Sequence, residues 1–235
     1  MHVVLLLVHE TTAYVQLLST EVTVVDSARN LGVINDSQLS LEAHVAAVCR
    51  SGYYQLRQLR PVMGSLSADA AKTLVQAFIS SRLDYCNALL YGVSDGLMRH
   101  LQSVQNAAAR LVTSAQRRDH ITPILRQLHW LPVCQRVTFK IAVLVFECLT
   151  GQAPTYLADD CRLTSDVRTR RLRSTDTAMC VVRRSNNSFG DRCFAAAGPC
   201  LWNTLPVHLR QCDSLGQFKQ LLKTHLFGVW DRGAL

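Results

Sequence analysis

The stretch PVCQRVTFKIAVLVFECLTG, residues 132–151, decides how the rest of the chain is read. Pro132 suits the start of a helix, where a missing N–H costs nothing, and Gly151 suits its end. Between them Val133, Val137, Ile141, Leu144 and Val145 recur at helical spacing. The apolar run IAVLVF is far shorter than the ~20 residues that span a bilayer. The spacing therefore predicts a helix that buries one face in a core.

Working upstream, the same pattern repeats. A short helix is expected over 121–129. Leu97, Leu101, Val104, Ala108, Leu111 and Val112 mark a helix closed by Arg117 and Arg118. Ser67 is a candidate N-cap, with Asp69 in the first turn and Leu74, Val75, Phe78, Ile79, Leu83, Leu89 and Leu90 as the buried face, ended by Gly92. Leu41, Val45, Val48, Leu56 and Leu59 form a further stripe, stopped by Pro61. Residues 36–150 thus read as one helical domain. Residues 1–35 read as strands, VVLLLV, TAYVQLL, EVTVV and LGVI, with a turn at Asp26, Ser27, Arg29 and Asn30. They are too few for a sheet alone and look like the end of one. Downstream, 151–235 combines an arginine-rich loop, an extended TAMCVVRR, the small-residue-rich FGDRCFAAAGPCLWNTLP and an amphipathic helix capped by Ser214. That helix buries Leu215, Phe218, Leu221, Leu222 and Leu226. The expected class is mainly α, with a short N-terminal β remnant and an irregular α+β C-terminal part.

The chain has 235 residues, 49% of them hydrophobic and 18% charged, enough to bury a core and too apolar for disorder. Its net charge of +8 favours an anionic partner, nucleic acid being the commonest. Nine cysteines, an odd number with no C-x-x-C pair, read as reduced thiols. MHVVLLLVHE lacks the basic start and cleavage site of a signal peptide. These features point to an intracellular protein, nuclear or cytoplasmic, that is neither secreted nor membrane-bound.

Several clusters invite a chemical reading. Tyr156-Leu157-Ala158-Asp159-Asp160 has the look of a metal-binding Y-x-D-D, but its tyrosine stands one residue early and no partner carboxylate lies on an upstream strand. A helix end with two solvated acids is the plainer account. Cys193, Cys200, His208 and Cys212 have the residue types of a zinc knuckle at gaps of six, seven and three residues, too wide for one. Buried small hydrophobes and a surface histidine explain them as well. Cys49 lies five residues from His44, and Cys134 five from His129, spacings that define no nucleophile. Among residues 162–184, seven arginines face two aspartates. Guanidinium forks suit phosphates, and a solvated basic loop is the alternative. Trp130, Trp202 and Trp230 are read as packing residues ahead of base-stacking ones.

At NLGVINDSQLS (30–40) the chain resembles the reverse transcriptases of LINE-type non-LTR retrotransposons, in the chicken-repeat and jockey-like group. The likeness continues through SRLDYCNALLYG (81–92), LQSVQNAAARLV (101–112), RDHITPILRQLHWLPVCQR (118–136), FGDRCFAAAGPCLWNTLP (189–206) and FKQLLKTHLF (218–227). It covers about 22–227, with the motifs in order. Asn35 stands where relatives usually carry an aromatic, Cys193 and Cys200 stand where other residues are expected, and residues 1–20 match nothing familiar.

The resemblance implies the last strands of a polymerase palm (1–35), a helical thumb (36–150) and a C-terminal extension (151–235). The endonuclease and the Mg²⁺-holding aspartates would belong to the portion upstream, a transposable-element polyprotein that copies RNA into DNA. GQAPTYLADD is similar to a family stretch, G-x-A-P-x-Y-L, that is not the metal site. The expectation is therefore a chain with no enzymatic activity and no cofactor of its own. It would bind RNA or an RNA–DNA duplex along the backbone and contact the missing palm. Arg57, Arg60, Arg82, Arg110, Arg117, Arg118, Arg168, Arg170, Arg171 and Arg173 are the candidate contacts. The rival expectation is a helical protein-interaction module or a non-functional transposon relic.

Overall fold

The computed structural model describes residues 14–17, 20–23, 25–167, 178–185 and 187–233. The expected strand VVLLLV and the candidates Arg168, Arg170, Arg171 and Arg173 lie outside the described residues.

Two antiparallel hairpins come first: β1 (Tyr14–Leu17) with β2 (Thr20–Thr23), and β3 (Ser27–Asn30) with β4 (Val33–Asp36). The expected turn at Asp26–Asn30 is corrected here, because Ser27–Asn30 is strand. The reversal falls at Leu31 and Gly32, whose φ angles are 46° and 83°, with Asn30 opposite Val33. Two left-handed residues match the twist of the strands they join, and glycine takes that conformation without steric cost. Tyr85 Oη donates to Leu31 O at 2.6 Å and holds the tip.

The first helix starts later than its apolar stripe suggests, at Glu42 rather than near 36. The Asp36 carboxylate accepts from the backbone of Gln38, Ser40 and Leu41 (3.1, 2.8 and 2.8 Å) and from Ser40 Oγ (3.0 Å). A side chain that satisfies three amides keeps 37–41 as a loop. Then α1 (Glu42–Leu59) packs on α4 (Asp95–Thr113). Gly52 makes this crossing possible, since a Cβ there would stand 2.7 Å from Val104 Cγ1.

Ser67 does cap α2 (Ala68–Val75), accepting from Ala70 N at 3.3 Å. The continuous helix expected from there to Gly92 is corrected. A π-helical segment, Gln76–Ser80, is inserted before α3 (Ser81–Asp84); Cys86 then turns left-handed and a 3-10 turn covers Asn87–Leu90. The wider turn shifts the facing register. Val75, Ile79, Leu83 and Leu90 are buried, whereas Phe78 and Leu89, expected inside, are exposed.

α4 ends at Thr113 with Ser114 left-handed, so Arg117 and Arg118 sit in the following turn and do not close the helix. α5 (Ile121–Gln127) and α6 (Val133–Leu149) match their expected positions, and Gly151 has φ 70°. α7 (Thr155–Ala158) and α8 (Thr164–Val167) are single turns. TAMCVVRR contributes one isolated bridge, Leu163 to Cys180. α9 (Ser188–Arg192), α10 (Phe194–Thr204), α11 (Val207–Arg210) and α12 (Leu215–Gly233) follow, and Ser214 accepts from Gln217 N at 3.3 Å as expected of a cap.

The result is mainly helical, around one core that runs from Val33 to Leu226. α6 is its axis. α10 and α12 pack against it from downstream, α4 and the 87–90 turn from upstream. Phe146 of α6 stacks on Phe218 at 4.5 Å between centroids, with Trp202 at 5.7 Å from Phe218. Among the described residues, no helix is long and apolar enough to cross a membrane.

Candidate nucleic-acid interface

α1 turns its apolar face inward and a basic, aromatic face outward. Arg50, Tyr54 and Arg57 fall at i, i+4 and i+7, and Tyr53 and Arg60 flank them at i+3 and i+10. All five are exposed, Tyr53 by 43% and Tyr54 by 57%. None of the three arginines pairs with a carboxylate among the described residues. Glu42 is the helix's one acid, a first-turn residue at the far end. Tyr53 Oη lies 2.7 Å from Ser103 Oγ of α4, which fixes its ring beside the stripe. Cations that repel one another on a surface, with aromatic rings between them, suit a polyanion with stackable bases.

The arginines expected as contacts divide by what they touch. Arg57 and Arg60 share this outer face. Arg117 and Arg118 are exposed in the turn after α4. Arg82 is half-buried, with Nε donating to Ser51 Oγ at 3.0 Å and NH1 to Phe78 O at 2.6 Å, so it braces α1 against the π segment. Arg110 folds back to donate to Asp119 O at 3.3 Å. Arg82 is thus a brace between elements, and Arg110 holds the turn after α4 through one bond while its buried Nε has no partner among the described residues. Arg50, Tyr53 and Tyr54 were missed in the sequence, although the spacing R-x-x-Y-Y-x-x-R carried the signal. Arg57 and Arg60 alone do not reveal the tyrosines, whose exposure depends on which face α1 turns to α4.

The other clusters take plainer roles. Asp159 faces Arg162 at 3.8 Å and Asp160 faces Arg183 at 3.2 Å, both at the end of α7. Cys193, at the junction of α9 and α10, and Cys200 of α10, expected as buried hydrophobes, are exposed, because α10 buries Ala197, Leu201 and Trp202 instead; His208 is exposed as expected. No group of three or more metal-ligand side chains comes together among the described residues. Burial raises the thiol pKa of Cys49 and, with Asp95 adding to it, of Cys134, which disfavours the thiolate a nucleophile needs. His44 and Cys49 lie on different faces of α1. Burial also pushes Cys180 up to about 12. Trp130 and Trp202 are buried, and Trp202 donates to Ala178 O at 2.8 Å. Trp230 packs near Phe227 with the Arg126 guanidinium over its ring.

Several polar side chains act as clamps between distant segments. Arg136 of α6 makes a two-pronged pair with Asp84, its Nε donating at 2.7 Å. Arg192 donates to Leu39 O at 3.0 Å and Tyr91 O at 3.2 Å, joining three distant segments. Asn203 brackets Cys180, accepting from its N–H at 2.8 Å and donating to its carbonyl at 2.9 Å. Compared with known families, characterised proteins and solved structures, the chain matches none.

Proposed function

We propose that this chain is a non-catalytic nucleic-acid-binding part of a LINE-type reverse transcriptase, a thumb with its C-terminal extension, that tracks the backbone of an RNA–DNA duplex. The observation that carries the reading is the outer face of α1, where Arg50, Arg57 and Arg60 have no carboxylate partner among the described residues and Tyr53 and Tyr54 stand beside them. Phosphate contacts of this kind hold a duplex in register without reading its sequence. The catalytic aspartates and their Mg²⁺ would belong to the palm of the parent enzyme.

Two assays test it. The chain should bind an RNA–DNA hybrid with an affinity that falls linearly on a log–log salt plot, and Arg50→Gln and Arg57→Gln should each flatten that slope by about 1. Primer extension with Mg²⁺ should yield no DNA; synthesis by this chain alone would overturn the reading.

A second reading, a protein-interaction module, draws on one feature. Leu89 and Phe189 are exposed large apolar residues that line the same cavity of about 240 Å³, beside Leu41 and Ile141. Exposed apolar surface of this sort serves contacts with another protein.

A further inference from the structure

A second basic feature lies away from the outer face of α1. A cavity of about 500 Å³ opens where α2, the 84–87 turn, the 128–131 loop, α6 and α12 meet. That volume is within the range of small-molecule sites. Lys72, Arg136, Lys140 and Lys223 line it. Asp84 is the single carboxylate in the lining, and Arg136 already holds it with both prongs of its guanidinium. The three ammonium groups are thus left facing the space with no carboxylate of their own among the described residues.

These cations crowd one another. Burial, then the charges of Arg136 and Lys72, lowers the pKa of Lys223. A folded chain gains nothing from gathering like charges; an anion placed between them relieves the repulsion. Asn87 adds a separate signal. It is buried, lines the cavity, and its Oδ1 has no hydrogen-bond partner. An acceptor left in this way costs free energy unless a donor reaches it. Phe139, Leu128 and Leu131 supply an apolar wall beside the charges.

We propose that this cavity binds a nucleotide-sized organic phosphate. The phosphate sits among Lys72, Lys140 and Lys223, the organic part lies along Phe139, and a hydroxyl or amino group donates to Asn87. Lysines act as point charges toward phosphate, and three of them suit a doubly charged group better than a single carboxylate. Free nucleotides and the 5′-phosphate end of a nucleic-acid strand carry the same chemistry.

The test is calorimetric titration of the full chain at low ionic strength with inorganic phosphate, with adenosine monophosphate, and with one short oligonucleotide carrying either a 5′-phosphate or a 5′-hydroxyl. The mononucleotide should bind more tightly than inorganic phosphate. Lys140→Gln, an exposed rim position, and Lys223→Gln should each weaken the mononucleotide about tenfold. Lys219→Gln removes the same charge from the same helix at a residue that faces Glu147 instead, and should leave binding unchanged. An oligonucleotide that binds more tightly when 5′-phosphorylated, and loses that advantage with Lys140→Gln, assigns the cavity to a strand end. Equal binding of the free mononucleotide assigns it to a soluble ligand. No binding of inorganic phosphate or either phosphorylated probe overturns the proposal. So does equal weakening by Lys219→Gln, the signature of unspecific attraction. Neither failure touches duplex binding through α1, which the Arg50 and Arg57 variants read separately.

Discussion

His44 and Asp36 are two titratable residues whose surroundings set how the fold responds to acid. His44 Nδ1 accepts from Ile34 N at 3.4 Å, and burial, then the charge of Arg29, depresses its pKa below 6.5. The unfolded chain takes up the proton first as pH falls. His44 therefore contributes stability that is fully present above about pH 6.5 and is lost as pH falls from there through the folded pKa. The melting temperature of the native chain should drop between pH 7.5 and pH 5.5 by more than that of His44→Gln; parallel curves for the two would contradict this. Asp36 obeys the same sign at lower pH. Burial alone would raise its carboxyl, but the bonds from Ser40, Leu41 and Gln38 outweigh that and hold it below the ordinary 3.8. Its stabilisation is present above that value and is lost as pH falls through the folded pKa. Asp36→Ala removes the acceptor of three amides and should cost about 1–2 kcal/mol, as for a lost helix cap, measured by urea unfolding at neutral pH.

At the scale of elements, the crossing of α1 and α4 depends on Gly52. Alanine is ordinarily better than glycine inside a helix by about 1 kcal/mol. Here the added Cβ would meet Val104 Cγ1, a fully buried branched side chain with no room to move. The clash wins, and Gly52→Ala should destabilise by about 1–3 kcal/mol; a stabilised variant would mean the two helices do not meet at this point. Elements were the legible part of the sequence where periodicity and caps agreed. Ser67, Ser214, Gly151 and the stripe of α6 carry local chemistry that acts within one turn. What escaped was set by contacts distant in sequence or by backbone geometry that hydrophobicity does not encode. The π segment at Gln76–Ser80 adds a residue to a turn and moves Phe78 off the expected side, and the break at Tyr85–Cys86 starts a separate 3-10 turn that carries Leu89 outward. Leu31–Gly32 reverses β3 into β4 while the more turn-like Asp26–Asn30 stays largely strand, because two consecutive left-handed residues satisfy the hairpin twist. The candidate interface was half legible. Arg57 and Arg60 were named from the sequence, but separating them from Arg82 and Arg110 required Ser51, Phe78 and Asp119 to be in place.

At the scale of the molecule, one core joins the helical block to the C-terminal segment. α6 carries α10 and α12 on one side, and Phe146, Trp202 and Phe218 meet there. Phe218→Ala should cost about 3–5 kcal/mol and loosen α12 as a whole, seen as faster amide exchange in 215–226 than in α4. Uniform exchange across both would argue against α12 depending on this contact. The basic balance is spread over the same body in two places of different character, an open arginine–tyrosine face on α1 and a lysine-lined cavity beside α6. The first suits an extended backbone and the second a single phosphate. The most direct test of the central claim is the affinity for an RNA–DNA hybrid across a salt series, for the native chain and for the doubly substituted Arg50→Gln, Arg57→Gln chain. The account predicts a linear log–log decline whose slope falls by about 2 in the double variant. Binding that ignores salt, or a slope that the two arginines leave unchanged, would contradict it.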